Sequence, residues 1–226
     1  MMKLLEHTDA LIFDLDGTLI DSMWVWVAID KEYLAKYHLT EPDDFYANME
    51  GKSYIEVARY YQDVFPELSL SVDEIMEEWT EMAHEMYMTK VPLKKGAKKF
   101  LQEVKQRGIR TGIATSNEKA MVLDTLRALG VEDLFDSVRS ACEVSSGKPS
   151  PDVYLLVAKD LEVDPKRCLV FEDVPMGILA GKNAGMRVCA VEDEFSNSQL
   201  VKKKELADFY IKDYDDLFDQ TYEVLK

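Results

Sequence analysis

The chain has 226 residues, 47% apolar and 31% charged, a length and composition suited to one compact domain or one domain carrying a smaller insertion. Its formal charge of -16 excludes a nucleic-acid backbone or an anionic membrane as the main partner, since both demand basic patches. An anionic ligand entering such a chain would need a local positive charge from a metal or a well-placed Lys.

In chain order, Ala10-Leu-Ile-Phe-Asp-Leu15 closed by Asp16-Gly17 reads as a buried parallel strand running into a turn. From 20 to 91 the pattern is helical without a convincing strand. Met23 to Tyr37 reads as one helix. Ser53-x-x-Glu56 and Ser71-x-x-Glu74 read as capping boxes, leading into apolar faces at Val57, Tyr61, Val64 and at Ile75, Trp79, Met82, Met86. The Met and aromatic stripes are assigned to packing. On the first helix Trp24 and Trp26 lie about 200° apart, so they do not both face the core.

Beyond Pro92 and Gly96, strands and helices alternate. Strands are expected at 110–115, 137–141, 167–171, 187–191 and 209–211, and helices at 97–106, 118–129, 152–161 and 175–184. Gly108, Gly130 and Gly185 are placed to end helices. Gly177, Gly181 and Gly185 share a helical face, read as close packing on a sheet. The alternation predicts an α/β fold, a doubly wound, Rossmann-like parallel-sheet core over 1–20 and 92–226 with an all-helical insertion at 21–91. Ligands of such sheets bind beyond the carboxyl ends of the strands, where Asp14 to Thr18, Thr115 to Asn117 and Glu172-Asp173 fall.

Three of these ends carry groups suited to phosphate chemistry. Asp14 suits nucleophilic attack on phosphorus, and Asp16, at the strand-to-turn joint, can protonate a leaving oxygen and then activate water. The same Asp-x-Asp-Gly-Thr could also serve turn geometry alone. Crowded acids facing a phosphate need a cation, and oxygen ligands point to Mg²⁺, with Glu172 and Asp173 as further acids unless they only favour a helix start at Pro175. Thr115 and Ser116 offer hydroxyls and free N–H groups for phosphate, although Ser116 or Asn117 could equally cap the following helix. Lys148, in a loop before a helix, could neutralise phosphate and Asp14, or be solvated surface. The three histidines have no companions at metal or triad spacing. Cys142, Cys168 and Cys189 read as reduced core residues, and with no apolar leader or membrane span the expected location is cytoplasmic.

Together, Asp14-x-Asp16-Gly17-Thr18, Thr115, Lys148 and Glu172-Asp173 resemble the four ordered motifs of the haloacid dehalogenase superfamily, and the resemblance spans essentially the whole chain. It implies a nucleophile at Asp14 and an acid/base at Asp16. It implies Mg²⁺ held by Asp14, the Asp16 backbone carbonyl and Asp173, with Glu172 nearby or acting through water. Thr115 and Lys148 would hold the phosphoryl group. The helical insertion is similar to the cap domain of the subfamily that includes β-phosphoglucomutase and small-metabolite phosphatases, closing over substrate. An acid at position 16 favours phosphate esters over carbon–halogen bonds.

Trp26 and Tyr54 stand where the mutase pattern places a His and an Arg, and Lys52 is the cation offered by the loop after Glu50. The expectation is therefore a phosphatase acting as a monomer on a small phosphate ester, with a sugar phosphate among the candidates and Lys52, Tyr54 and Trp26 as cap contacts. A sugar phosphomutase is the alternative. A non-catalytic binding protein on the same scaffold is the alternative of another class.

Overall fold

The computed structural model describes residues 3–49 and 54–226, with the side chains of residues 3, 47 and 54 outside that description. The polypeptide divides into two compact units, Met1–Met23 with Val91–Lys226, and Trp24–Lys90.

The larger unit is built on seven strands: β1 (Ala10–Phe13), β2 (Arg110–Thr115), β3 (Ser137–Ser140), β4 (Cys168–Glu172), β5 (Arg187–Val191), β6 (Phe209–Ile211) and β7 (Glu223–Val224). They form one sheet in the order β3-β2-β1-β4-β5-β6-β7. All neighbours run parallel except β6 and β7, which pair antiparallel. The chain winds outward from β1 to β3, then returns to β4 on the other side of β1. This topological switch opens a crevice at the carboxyl end of β1.

Period-two alternation divides the sheet residues between two faces. Ala10, Ile12, Cys168, Val170, Val188 and Ala190 share a core with Val153 and Val157 of α7 (Asp152–Asp160) and Ile178 of α8 (Pro175–Asn183). Opposite, Phe13 stacks on Phe171 at 4.9 Å, with Phe100 and Tyr214 packed edge-on or tilted around them. Phe100 belongs to α5 (Ala97–Gln106). The helix at 118–129 forms as α6 (Lys119–Ala128).

The smaller unit holds four helices and no strand among its described residues: α1 (Val25–Lys36), α2 (Phe45–Met49), α3 (Tyr54–Val64) and α4 (Val72–Thr89). The Ser71 capping box forms, its hydroxyl accepting from the Glu74 N–H while the Glu74 carboxylate accepts from the Ser71 N–H. The Ser53 box lies outside the described residues. The buried face of α3 is Ala58, Tyr61 and, just beyond it, Phe65, one step around from the expected stripe, with Val57 and Val64 half-buried. Tyr61, Trp79, Tyr33 and Phe45 form an edge-to-face aromatic core, the Tyr61–Trp79 centroids 4.8 Å apart. Trp24 is half-buried and Trp26 exposed, so neither is a core residue.

Three expectations need correction. Strand β1 ends at Phe13, so Asp14 and Asp16 both lie beyond it. Cys142 is exposed, unlike buried Cys168 and Cys189. The pattern also missed β7 and two short helices, α9 (Leu200–Leu206) and α10 (Asp215–Asp219), whose length leaves little periodicity to read. Among the described residues no helix is long and apolar enough to cross a membrane.

Candidate active site

Nine residues line a cavity of about 170 Å³ in the larger unit, among them Asp14, Asp16, Thr115, Ser116, Lys148, Glu172 and Asp173. At roughly 30 Å³ per water, it has room for several waters, or for a phosphoryl group with an ion. Most of its wall comes from the carboxyl ends of strands flanking the switch point, with Lys148 entering from the loop before α7. Asp14 follows β1 and its N–H donates to Phe171 O at 3.0 Å. Thr115 closes β2, Glu172 closes β4, and Asp173 follows.

Lys148 is the hub. Its ammonium donates to Asp14 Oδ1 at 2.5 Å, to Glu172 Oε1 at 2.7 Å and to Ala114 O at 3.2 Å. Burial alone would favour the neutral amine, but the Asp14 and Glu172 carboxylates outweigh it and hold its pKa well above the ordinary Lys value. The solvated-surface alternative therefore does not apply, since its side chain is 9% exposed.

Glu172 is fully buried and held on three sides. Oε1 accepts from Lys148 and from the Tyr154 hydroxyl at 3.0 Å, and Oε2 accepts from the Val174 N–H at 3.1 Å. Its nearest task in this arrangement is to anchor Lys148. Gly177, expected to pack on the sheet, faces this carboxylate instead, and a Cβ there would lie 1.7 Å from Glu172 Oε1. The sheet-packing expectation holds for Gly181, against Val188, while Gly185 serves the turn after the helix at φ 76°.

Asp173 directs Oδ1 to the Thr18 hydroxyl at 2.9 Å, whereas its Oδ2 is buried without a hydrogen-bond partner. Burial first, then the Glu172 charge, pushes its pKa up to about 7. Burial likewise raises Asp14, with Glu172 and Asp173 adding to the shift and Lys148 opposing it. Ligand atoms of Asp14, Glu172 and Asp173 lie within 4.8 Å of one another. A buried, unpartnered carboxylate oxygen in an oxygen-only, electron-rich cluster is the chemistry a hard divalent cation satisfies, so these residues fit Mg²⁺. Gly17 permits the approach. Its φ is 70°, and a Cβ would meet Asp173 Oδ2 at 2.6 Å.

Asp16 is held at both oxygens. Oδ1 accepts from the buried Ser22 hydroxyl and Oδ2 from Asn117 Nδ2, both at 2.6 Å. Neither Ser116 nor Asn117 caps α6, whose N-cap is Glu118 with no side-chain bond. Thr115 is buried and its hydroxyl accepts from the Asn117 N–H at 3.1 Å, while Ser116 is exposed at the cavity.

Sequence reasoning missed Ser22, Asn117 and Tyr154 as supports. A polar residue at a strand end could have marked Asn117. Tyr154 lies within the apolar run Val153-Tyr-Leu-Leu-Val157, which carries no such signal. Trp26 lies in the smaller unit. Lys52 and the Tyr54 side chain lie outside the described residues.

The family model of the haloacid dehalogenase-like hydrolases matches residues 11–191, and the chain belongs to that family. It is 34% identical over 190 residues to a bifunctional riboflavin kinase/FMN phosphatase of Arabidopsis thaliana, covering 84% of this chain and 50% of that protein. It is 35% identical over 190 residues to (DL)-glycerol-3-phosphatase 1, mitochondrial, of the same plant, covering 81% and 63%. The chain thus spans about half to under two thirds of the length of these relatives. With hexitol phosphatase A of Escherichia coli (strain K12) it shares 32% identity over 184 residues, 80% of this chain and 81% of that one. A crystal structure of a putative beta-phosphoglucomutase from Thermotoga maritima superposes with a TM-score of 0.81 at 26% identity, covering 95% and 98% of the two chains.

Proposed function

We propose that this protein hydrolyses a small phosphorylated metabolite, with a sugar phosphate among the candidates, in a magnesium-dependent reaction through an aspartyl-phosphate on Asp14. The observation that carries the reading is that Asp14, Asp16, Thr115, Ser116, Lys148 and Asp173 line one cavity. In the first step an Asp14 carboxylate oxygen attacks phosphorus in line, the ester P–O bond breaks, and Asp16 gives its proton to the departing alkoxide. In the second, Asp16 takes a proton from water as that water attacks the aspartyl-phosphate, returning Asp14 and releasing phosphate. Ser22 and Asn117 hold Asp16 in one orientation through both transfers, and Lys148, Thr115 and Ser116 bind the phosphoryl oxygens.

Asp14, Asp173 and the Asp16 backbone carbonyl would hold Mg²⁺, with Glu172 nearby, and the ion would supply positive charge against the phosphoryl oxygens. Residues 1–20 and 92–226 serve as the catalytic core and 21–91 as a cap that supplies substrate contacts, with Trp26, Lys52 and Tyr54 as its candidates. The protein works as a monomer in the cytoplasm in this reading.

Phosphate release measured across a panel of phosphorylated metabolites with Mg²⁺ tests the proposal, with Asp14→Asn as the blank. Wild-type release by Asp14→Asn would overturn it. The likeness to a putative beta-phosphoglucomutase supports a second reading, a sugar phosphomutase. Isomerised hexose phosphate formed from a hexose 1-phosphate without free phosphate would favour that one.

A further inference from the structure

The bend between β2 and α6 carries Asn117, whose side-chain amide holds Asp16 Oδ2 at 2.6 Å. Asn117 lies beyond the last residue of β2 and before the first of α6, so neither strand pairing nor helix geometry fixes its backbone. Two hydroxyls do. Its N–H donates to Thr115 Oγ1 at 3.1 Å, and its carbonyl accepts from the Ser140 hydroxyl at 2.7 Å. Thr115 and Ser140 are the last register pair of β2 and β3, so neighbouring strand ends grip the two backbone groups of one residue.

Ser140 is 1% exposed, and its oxygen also accepts from the Cys142 N–H at 3.2 Å, at the start of the short turn Ala141–Glu143. Capping that turn uses only the acceptor side of the hydroxyl. The donor side leaves the turn and spans 23 residues to the carbonyl of the one residue whose amide reaches Asp16. The turn has a second hold, because the Ser140 N–H donates to Glu143 Oε2 at 2.8 Å and Glu143 Oε1 accepts from Arg139 at 2.7 Å. A side-chain amide aims only as well as its backbone is held, so a small rotation of the peptide after Asn117 would swing Nδ2 off the Asp16 carboxylate.

We propose that Ser140 is a positioning residue for Asp16: its hydroxyl fixes the Asn117 backbone, and through it the amide that aims the Asp16 carboxylate at the leaving oxygen and then at water. This rests on the phosphatase reading above. Ser140→Ala is expected to lower kcat for the alkyl phosphates of the panel above, glycerol 3-phosphate among them, by about tenfold with KM within about twofold. In an Asn117→Ala background the same substitution should cost nothing further, since the arm it steadies is gone. A loss that adds in full to that of Asn117→Ala, or that falls on KM, overturns the role. Ser140→Cys keeps the size with a weaker donor and should give the same pattern in smaller measure even if the Ala variant does not fold. Hydrogen exchange of the Asn117 side-chain amide in the ¹⁵N-labelled full chain, its signal assigned by absence in Asn117→Ala, reads the same link without turnover. It should be faster by about tenfold in Ser140→Ala, and an unchanged rate also overturns the role. Absence of phosphate release from every ester by the wild type overturns the phosphatase reading, a different result, and the exchange rate still decides whether Ser140 holds Asn117.

Discussion

Asp14 and Asp16 stand two residues apart, yet their oxygens are held in opposite ways. Asp14 meets an ammonium, whereas Asp16 accepts from a hydroxyl and an amide, which orient it. This division suits a nucleophile and a proton carrier. Asp16→Asn should lower kcat for phosphate release by roughly 10²–10⁴, the usual worth of a positioned acid/base. Ser22→Ala and Asn117→Ala leave the carboxylate present but loosely aimed. Steady-state kinetics should show kcat falling by about 10 to 100-fold with KM little changed, as for a misplacement of the reacting group.

At the scale of the element, α8 starts against the site. Because a Cβ at Gly177 would overlap the Glu172 carboxylate, Gly177→Ala must displace either the helix or the anchor of Lys148. Activity should fall by at least tenfold, and a thermal melt should show a loss of about 1–3 kcal/mol, the range for overpacking. In the smaller unit, Ser71→Ala removes the capping box of α4. It should lower stability by about 1 kcal/mol in a denaturant melt and leave kcat unchanged.

For the whole molecule, the proposed magnesium site would link metal, pH and stability through the acidic cluster. Asp173 has its folded-state pKa raised from 3.8 to about 7, so the metal-free fold binds its proton more tightly than the unfolded chain. Its contribution is complete below about pH 4 and is lost as pH rises through about 7. Mg²⁺ must displace that proton, so its stabilisation should be larger at pH 8 than at pH 6. At 100 times Kd a bound ion adds about 2.7 kcal/mol, which for a chain of this size raises Tm by about 5–10 °C. A melt with Mg²⁺ against one with chelator, at both pH values, measures it. A Tm insensitive to Mg²⁺ at pH 8 would contradict the assignment of the cluster.

Much of this architecture is written in local pattern. Apolar runs closed by Gly or Asp at each strand end, and 3.6-residue faces between them, are consequences of burial and backbone geometry that act within ten residues. They sufficed for the alternating sheet core, the helical insertion and the candidate acids Asp14, Asp16, Glu172 and Asp173. The rest depends on contacts across long stretches of chain. Lys148 reaches Asp14 across 134 residues, Asn117 reaches Asp16 across 101, and Tyr154 buries its hydroxyl on Glu172 from within an apolar helix. The anchoring of Glu172 has no local signature, because it follows from which strand ends the β1 switch point brings together.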